Sequence, residues 1–262
     1  MSEGFLMGNT SGTTFIKPHG QEWKEVTYTE VDGLAVFEGC IIIGTVAEAK
    51  AVKEYVLKNP EVLTPGTQPF GTAIVGVQYR WKESLLPYEI DAGLPNQSRV
   101  TDAIAHWEAS TPFRFVKRDP TNPAHRDYVM FRSGGGCASS VGRRGGRQDV
   151  ILGDGCTKGN CIHEIGHTIG LWHEQSRQDR DNFIAINWDS IMPEATHNFD
   201  QHIQDGEDLG AYDYGSIMHY PKNAFSADGQ DTIVPKTAGA EIGQRVKLSD
   251  GDLASVQKLV NP

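Results

Sequence analysis

The chain lacks the features that would connect it with nucleic acid or with a membrane. Its 262 residues include 34 Asp and Glu against 24 Lys and Arg, so no basic excess is present to meet phosphates. The apolar run at residues 40–46 is far too short to cross a bilayer. With 38% hydrophobic and 22% charged residues, the composition suits a soluble globular protein of one or two domains. We therefore expect neither a nucleic-acid partner nor a membrane partner.

The beginning of the sequence also lacks the features of a secretion signal. Its first residues, MSEG, include neither a basic region nor an apolar one. We expect that any export signal was removed before this sequence begins, or that export uses another route.

Cysteine is scarce as well. The four residues Cys40, Cys137, Cys156 and Cys161 allow three full pairings, and the sequence alone does not choose among them. Cys161 comes two residues before His163, so we expect it to point away from the histidine face and to be a small buried apolar residue.

The most informative feature present is the motif HEIGHTIGLWH, which begins at His163. Residues four apart lie on one helix face, so His163 and His167 can bind one metal ion together. Glu164 lies one step round the helix, where it can reach a water molecule. His173 follows after Gly170, a residue that tolerates positive φ and can end the helix. Three histidine ligands leave one position open, which is typical of a catalytic zinc site.

The rest of the chain predicts an α+β arrangement. Helices are expected at residues 46–57, 98–108 and 158–169, and a final helix should begin at Ser249, a good N-cap residue. Strands are expected at residues 86–90, 113–116, 128–131 and 150–152.

A second motif, SIMHY, runs from Ser216 to Tyr220. The extended histidine motif followed by a methionine turn is the metzincin signature. With Glu174 after the third histidine, and with the stretches VGRRGG, HEQSRQDRDNF and TIVP, residues 72–262 resemble the astacin family of zinc endopeptidases. The resemblance implies a twisted sheet and a zinc helix, followed by an irregular C-terminal subdomain that ends in a helix.

The resemblance also implies an enzyme with one zinc ion per chain, bound by the three histidines. Glu164 would be the general base for hydrolysis of peptide bonds. Tyr220 would be a loosely held additional zinc ligand that swings away to stabilise the oxyanion, although it could also be an ordinary core aromatic. Met218 would pack beneath the metal site.

In astacins a disulfide joins the positions that match Cys137 and Cys156. Such a bond requires an oxidising compartment, so we expect a secreted protein. Closing a loop of about 20 residues would stabilise the fold by roughly 3 kcal/mol.

The substrates implied are proteins or peptides that bind in extended form to an edge strand of the sheet. We expect a monomer. Where many relatives have a tyrosine in this strand, the chain has Ser140. By resemblance the edge strand comprises Cys137, Ala138, Ser139, Ser140, Val141 and Gly142.

A connector at residues 59–71, with three prolines and two glycines, divides the chain. Residues 1–71 are predicted to form a pro-segment and residues 72–262 the catalytic domain. Within the pro-segment, besides its helix, only residues 36–37 and 41–43 are expected to be extended.

Astacin pro-segments carry an FxGD motif whose aspartate binds the zinc ion. This chain has FEGC, with Cys40 in the place of the aspartate. A thiolate is a softer zinc ligand than a carboxylate, so we expect a zymogen with a Cys40–zinc bond of about 2.3 Å. A disulfide to Cys161 and an unengaged thiol are the alternatives.

Removal of the pro-segment would create a new N-terminus near residues 71–73. In astacins this terminus pairs with the position of Glu174, which could otherwise be an ordinary surface carboxylate. No Lys or Arg lies just before Gly71, so an activating protease with trypsin-like specificity is not expected there.

Two other functions compete with a latent endopeptidase. One is a non-catalytic protein that keeps the zinc fold to bind peptides or matrix. The intact Glu164 argues against this function. The other is a metallohydrolase acting on esters or small amides, against which the methionine turn and Tyr220 argue.

Overall fold

The computed structural model describes residues 4–16, 23–60, 77–202 and 208–260. In these parts of the chain, nine strands form one mixed sheet, and a separate two-stranded sheet lies in the C-terminal part. The strands are β1 Ser11–Ile16, β2 Lys24–Val31, β3 Leu34–Phe37, β4 Ile41–Thr45, β5 Leu85–Ile90, β6 Arg114–Lys117, β7 Tyr128–Arg132, β8 Cys137–Ser139, β9 Arg147–Leu152, β10 Ile184–Ile186 and β11 Ile233–Pro235. The helices are α1 Val46–Lys58, α2 Ser98–Ser110, α3 Lys158–Ile169 and α4 Asp250–Val260.

The order of the large sheet is β1-β2-β3-β4-β8-β9-β7-β5-β6. Strands β5, β6, β7 and β9 are parallel to one another, and β8 is antiparallel to β9. Helices α2 and α3 pack together, and their apolar faces form the main core with the strands. The Trp107 indole in α2 donates a hydrogen bond to the Ile162 carbonyl of α3 at 3.1 Å. The α+β prediction is confirmed, and the four predicted strands each lie within one or a few residues of an observed one.

The N-terminal segment is more regular than predicted. Strands β1 to β4 form an antiparallel meander, and α1 packs against it. The side chain of Thr45 caps α1 by accepting from Glu48 N, while the Glu48 carboxylate accepts from Thr45 N. Strand β2 shows why the sequence analysis missed it, because only Val26 and Tyr28 of its eight residues are buried and the apolar alternation is weak.

The N-terminal meander joins the rest of the sheet through β4. Ile41 of β4 pairs in parallel with Ser139 of β8, whose backbone N donates to the Cys40 carbonyl at 2.9 Å. The Ser140 hydroxyl donates to the Ile42 carbonyl at 3.0 Å. Strand β8 is therefore an inner strand of the full chain. In the full chain β4 occupies the outer side of β8, so the N-terminal segment covers the edge expected at residues 137–142.

The described chain between α3 and the final helix consists mainly of loops and turns with short 3-10 segments. The final helix begins after Ser249, whose hydroxyl accepts from Asp252 N at 2.9 Å. The Asp252 carboxylate also accepts from the Ser216 hydroxyl and from Ile217 N, so it ties α4 to the SIMHY turn. None of the described helices has the length and apolar character to span a membrane. The predicted boundary at residues 71 and 72 lies outside the described residues.

Candidate metal centre

Helix α3 places two of the three motif histidines. It begins after Thr157, whose side chain forms a reciprocal capping pair with Asn160. His163 and His167 lie on one face and are buried. Gly170, at φ +128°, ends the helix and donates its N–H to the carbonyls of the last turn. The chain then turns back and brings His173 beside the other two rings.

The three imidazoles and the Cys40 thiol converge on one point. The Cys40 Sγ lies 3.7, 3.4 and 3.2 Å from Nε2 of His163, His167 and His173, and the last two Nε2 atoms lie 3.2 Å apart. A tetrahedral zinc ion with ordinary Zn–N and Zn–S bonds sets its ligand atoms about 3.3 to 3.7 Å apart. These four donors fit a zinc ion.

Burial explains the protonation states that this centre requires. It lowers the pKa values of His163 and His167 well below the usual range, so both rings are neutral and can ligate. Burial also raises the pKa of the Cys40 thiol, and the nearby Glu164 carboxylate raises it further. A thiolate at this position therefore requires a cation in contact with it.

Each histidine is oriented by a bond from its second ring nitrogen. His163 Nδ1 bonds to the Ile217 carbonyl at 2.8 Å, and His167 Nδ1 bonds to the Leu171 carbonyl at 2.7 Å. His173 Nδ1 bonds to a carboxylate oxygen of Glu38 at 2.6 Å. These bonds hold the Nε2 atoms toward the metal position.

Glu38 is one residue of this site that the sequence analysis missed, because it occupies the variable position of the FEGC motif. Its side chain is fully buried, and its backbone is held at φ +46°. The Ser176 hydroxyl and His202 Nε2 each lie 2.8 Å from its second oxygen. No local pattern indicates this arrangement, since the partners are more than 130 residues away in sequence.

Glu164 lies beside the metal position and is buried. The Ser139 hydroxyl donates to its carboxylate at 2.9 Å. Burial raises the pKa of Glu164 to about 8, against the opposing effect of that hydrogen bond. A carboxyl with a raised pKa can both accept and return a proton near neutral pH. Ser139 is thus a second residue whose role the sequence analysis did not identify.

Met218 packs against α3, and Tyr220 lies beside His173. A Cβ atom at Gly166 would lie 2.6 Å from the Met218 sulfur, so the methionine packs directly beneath α3. The Tyr220 ring lies 4.5 Å from that of His173. Its hydroxyl donates a hydrogen bond to the Glu38 carbonyl at 2.6 Å, so the N-terminal segment contacts the Tyr220 side chain directly.

Glu174 faces away from the metal position. Its carboxylate accepts from Asp213 N at 2.8 Å and lies 3.6 Å from Arg177 Nε. It lines a cavity of about 20 Å³, enough for one water molecule, together with Leu171 and Asp252. The N-terminus expected to pair with Glu174 belongs to residues outside the described ones.

The cysteines divide into one pair and two free thiols. A disulfide joins Cys137 and Cys156, at the positions implied by the astacin resemblance. Cys40 and Cys161 are both buried and free, so the alternative disulfide between them is not formed. Cys161 belongs to the main core, on the side of α3 away from the histidines.

Comparisons with known proteins agree with this geometry. A family model described as "Astacin", a peptidase family, matches residues 74–261. Zinc metalloproteinase nas-4 of Caenorhabditis elegans is 37% identical over 220 residues, which are 79% of this chain and 68% of that protein. Zinc metalloproteinase nas-30 of the same organism is 39% identical over 231 residues, but the chain spans only 30% of its length.

Two solved structures share the fold. High choriolytic enzyme 1, a hatching enzyme zinc-protease from the medaka fish Oryzias latipes, aligns with a TM-score of 0.67 at 34% identity. The alignment covers 73% of this chain and 99% of that one. Myroilysin aligns with a TM-score of 0.51 at 21% identity, covering 72% of this chain and 98% of that one, which indicates a common fold.

Proposed function

Because the chain belongs to the astacin family of zinc metallopeptidases, we propose that it is an endopeptidase that its own N-terminal segment holds latent. The observation that carries the proposal is the set of four converging donors, three from the catalytic motif and one from Cys40. Three histidines and an open position are typical of a catalytic zinc site, and here the thiol fills that position.

The chain's residues would divide the work of hydrolysis after the N-terminal segment leaves. Zinc, when bound, supplies a Lewis acid and lowers the pKa of water toward about 7. Glu164 takes a proton from the attacking water and passes it to the leaving amine. Tyr220, freed from the Glu38 carbonyl, donates its hydroxyl to the developing oxyanion.

Three contacts of the N-terminal segment support latency. The Cys40 thiol lies where the water would act, β4 covers the outer side of β8, and the Glu38 carbonyl accepts the Tyr220 hydroxyl. A substrate that binds by adding a strand to the sheet needs that side of β8. Residues 1–71 therefore act as a pro-segment, and a separate protease would have to remove them.

The remaining features fit a secreted enzyme. The Cys137–Cys156 disulfide requires an oxidising compartment during folding. After processing, the new N-terminus would pair with Glu174, whose carboxylate lies 3.6 Å from Arg177 Nε. The substrates are proteins or peptides, and we expect the enzyme to act as a monomer.

Casein hydrolysis before and after removal of residues 1–71 tests the endopeptidase. We expect activity only after processing, loss with a chelator and recovery with zinc. Processed protein that binds one zinc ion and hydrolyses no peptide would instead favour the non-catalytic peptide-binding alternative.

The Cys40→Ala variant tests latency without processing. Loss of the thiolate opens the fourth zinc position and weakens the hold of β4, so the uncleaved variant should show activity above that of the uncleaved wild type. The control is Cys161→Ala, which removes the other free thiol and should leave the uncleaved protein silent. A folded, zinc-loaded Cys40→Ala variant that is as silent as wild type contradicts the thiol switch.

A further inference from the structure

We propose that Glu38 is a positioning residue for the metal centre, which strengthens zinc binding through His173 independently of Cys40. The proposal deepens the proposed function, since it concerns how the pro-segment holds the same site. It predicts a centre to which the pro-segment contributes one ligand and also the carboxylate that orients a second ligand.

The three histidines differ in the group that orients each ring. His163 and His167 are oriented by backbone carbonyls of the catalytic domain, at Ile217 and Leu171. His173 is oriented by a side chain of the pro-segment at 2.6 Å, the shortest of the three bonds. A carboxylate partner raises the basicity of a ligating imidazole more than a neutral carbonyl does.

Glu38 is also fixed by several buried polar side chains. Besides His173, its carboxylate contacts the Ser176 hydroxyl and His202 Nε2, and all three partners are buried. The His202 ring is itself held in place, stacked on Trp172 at 4.2 Å between ring centroids. Burial opposes the charge on Glu38, but the bonds from His202 and His173 hold the pKa of this carboxyl well below its usual range.

Charge compensation of the zinc ion also favours this role for Glu38. An uncompensated charge is costly in a buried site. The Cys40 thiolate and the Glu38 carboxylate together carry two negative charges, which match those of one zinc ion, while the histidines are neutral. Two residues of the FEGC motif therefore direct negative charge toward the metal position, beside the Glu164 carboxyl of α3.

The backbone shows how the motif brings both groups to the centre. Glu38 has φ +46° and Gly39 has φ +66°, two successive residues in the left-handed region. The strain of a non-glycine residue in this region is acceptable where other contacts fix it. A Cβ atom at Gly39 would lie 2.5 Å from the Phe225 ring, so a larger residue there would displace the turn.

The test measures zinc affinity by competition with a chromophoric chelator, in the full chain and without reference to activity. The variants are Cys40→Ala, Cys40→Ala with Glu38→Gln, and Cys40→Ala with Glu54→Gln. Glu54 is an exposed carboxylate of the same pro-segment, paired only with exposed Lys58 in the described structure, and it serves as the matched control.

We expect Glu38→Gln to raise the zinc Kd about 10- to 100-fold in the Cys40→Ala background, the range typical of lost outer-shell partners. Glu54→Gln should leave the Kd unchanged. If Glu38 only docks the segment that carries Cys40, its substitution has no effect once the thiol is gone, and an unchanged Kd overturns the proposal. Because no step requires catalysis, failure of the proposed activity cannot be mistaken for this result.

A measurement on the wild type covers the case in which Glu38→Gln does not fold. In the zinc-loaded full chain, NMR should place the Nδ1 proton of His173 farther downfield than those of His163 and His167, because it alone is donated to a carboxylate. Equal shifts for the three protons would overturn the proposal.

Discussion

At the scale of single residues, Glu164 carries the chemistry of the proposed reaction. Glu164→Gln keeps the size of the side chain and its bond from Ser139, but an amide cannot accept the proton of water. We expect kcat of the processed enzyme to fall about 10²- to 10⁴-fold, the usual contribution of a general base. Steady-state peptide hydrolysis measures the loss, and metal analysis should show that zinc is retained.

The control is Glu194→Gln, which alters an exposed carboxylate of the catalytic domain and should leave kcat unchanged. A Glu164→Gln variant with wild-type kcat would assign the base to another group.

Gly166 shows how closely the methionine turn fits beneath α3. A Cβ atom there would lie 2.6 Å from the Met218 sulfur and 3.7 Å from Leu171, in a buried interface. We expect Gly166→Ala to lower the free energy of unfolding by about 1–3 kcal/mol, the usual cost of overpacking. Urea unfolding compares it with Gly155→Ala, where a Cβ atom meets nothing within 4 Å. Equal stability of the two variants would contradict the packing seen here.

The residues differ in how far the sequence could predict them. His163, Glu164 and His167 are fixed relative to one another by the geometry of one helix, so their spacing alone predicts a shared face. Glu38 reaches the site from the turn between β3 and β4, and Ser139 reaches it from β8. Their positions depend on tertiary pairing, about which a local pattern carries no information.

At the scale of elements, α3 has the bounds predicted for it, residues 158–169, because its start and its end are both encoded locally. Thr157 caps the first turn and Gly170 ends the last one. The pro-segment meander depends instead on pairing between strands with weak apolar alternation. The pairing of β4 with β8 joins residues almost 100 apart, and thus the edge-strand prediction could not anticipate it.

Glu174, in the turn that follows α3, should make the stability of the full chain depend on pH. Burial raises the pKa of Glu174 to about 8, although Arg177 opposes the shift. Above the ordinary pKa of a glutamate, about 4.3, the unfolded chain has released a proton that the folded chain still holds. The free energy of unfolding should therefore fall as pH rises through this window, by up to about 1 kcal/mol per pH unit from this group.

Urea unfolding of the uncleaved chain at a fixed zinc concentration measures this dependence. Glu174→Gln cannot ionise, so its stability relative to wild type should increase as pH rises from about 5 to about 8. A stability difference that stays constant across this range would show that Glu174 titrates normally in the folded chain.

At the scale of the whole molecule, the N-terminal strands β1 to β4 belong to the same sheet as β5 to β9. One apolar cluster contains Val36, Phe37 and Ile41 of the pro-segment together with Ala138 and Trp172 of the catalytic domain. Such shared burial holds two parts of a protein together without a covalent link. In the latent form proposed above, activation requires the N-terminal segment to dissociate or to be degraded, and cutting the connector is only the first step.

The shared sheet and apolar cluster predict that a chain cut once, between the N-terminal segment and the catalytic domain, stays associated. With a site-specific protease sequence placed in residues 61–71, the zinc-loaded fragments should co-elute on gel filtration, and casein hydrolysis should stay low. The Cys40→Ala variant, which lacks the thiolate–zinc bond, should separate at lower denaturant concentration than wild type, because its N-terminal segment has lost one of the bonds that hold it to the rest of the chain. Denatured fragments give the elution positions of the separate parts. If the wild-type fragments separate as soon as the chain is cut, the covalent connector itself maintains latency, and the continuous sheet contributes little to it.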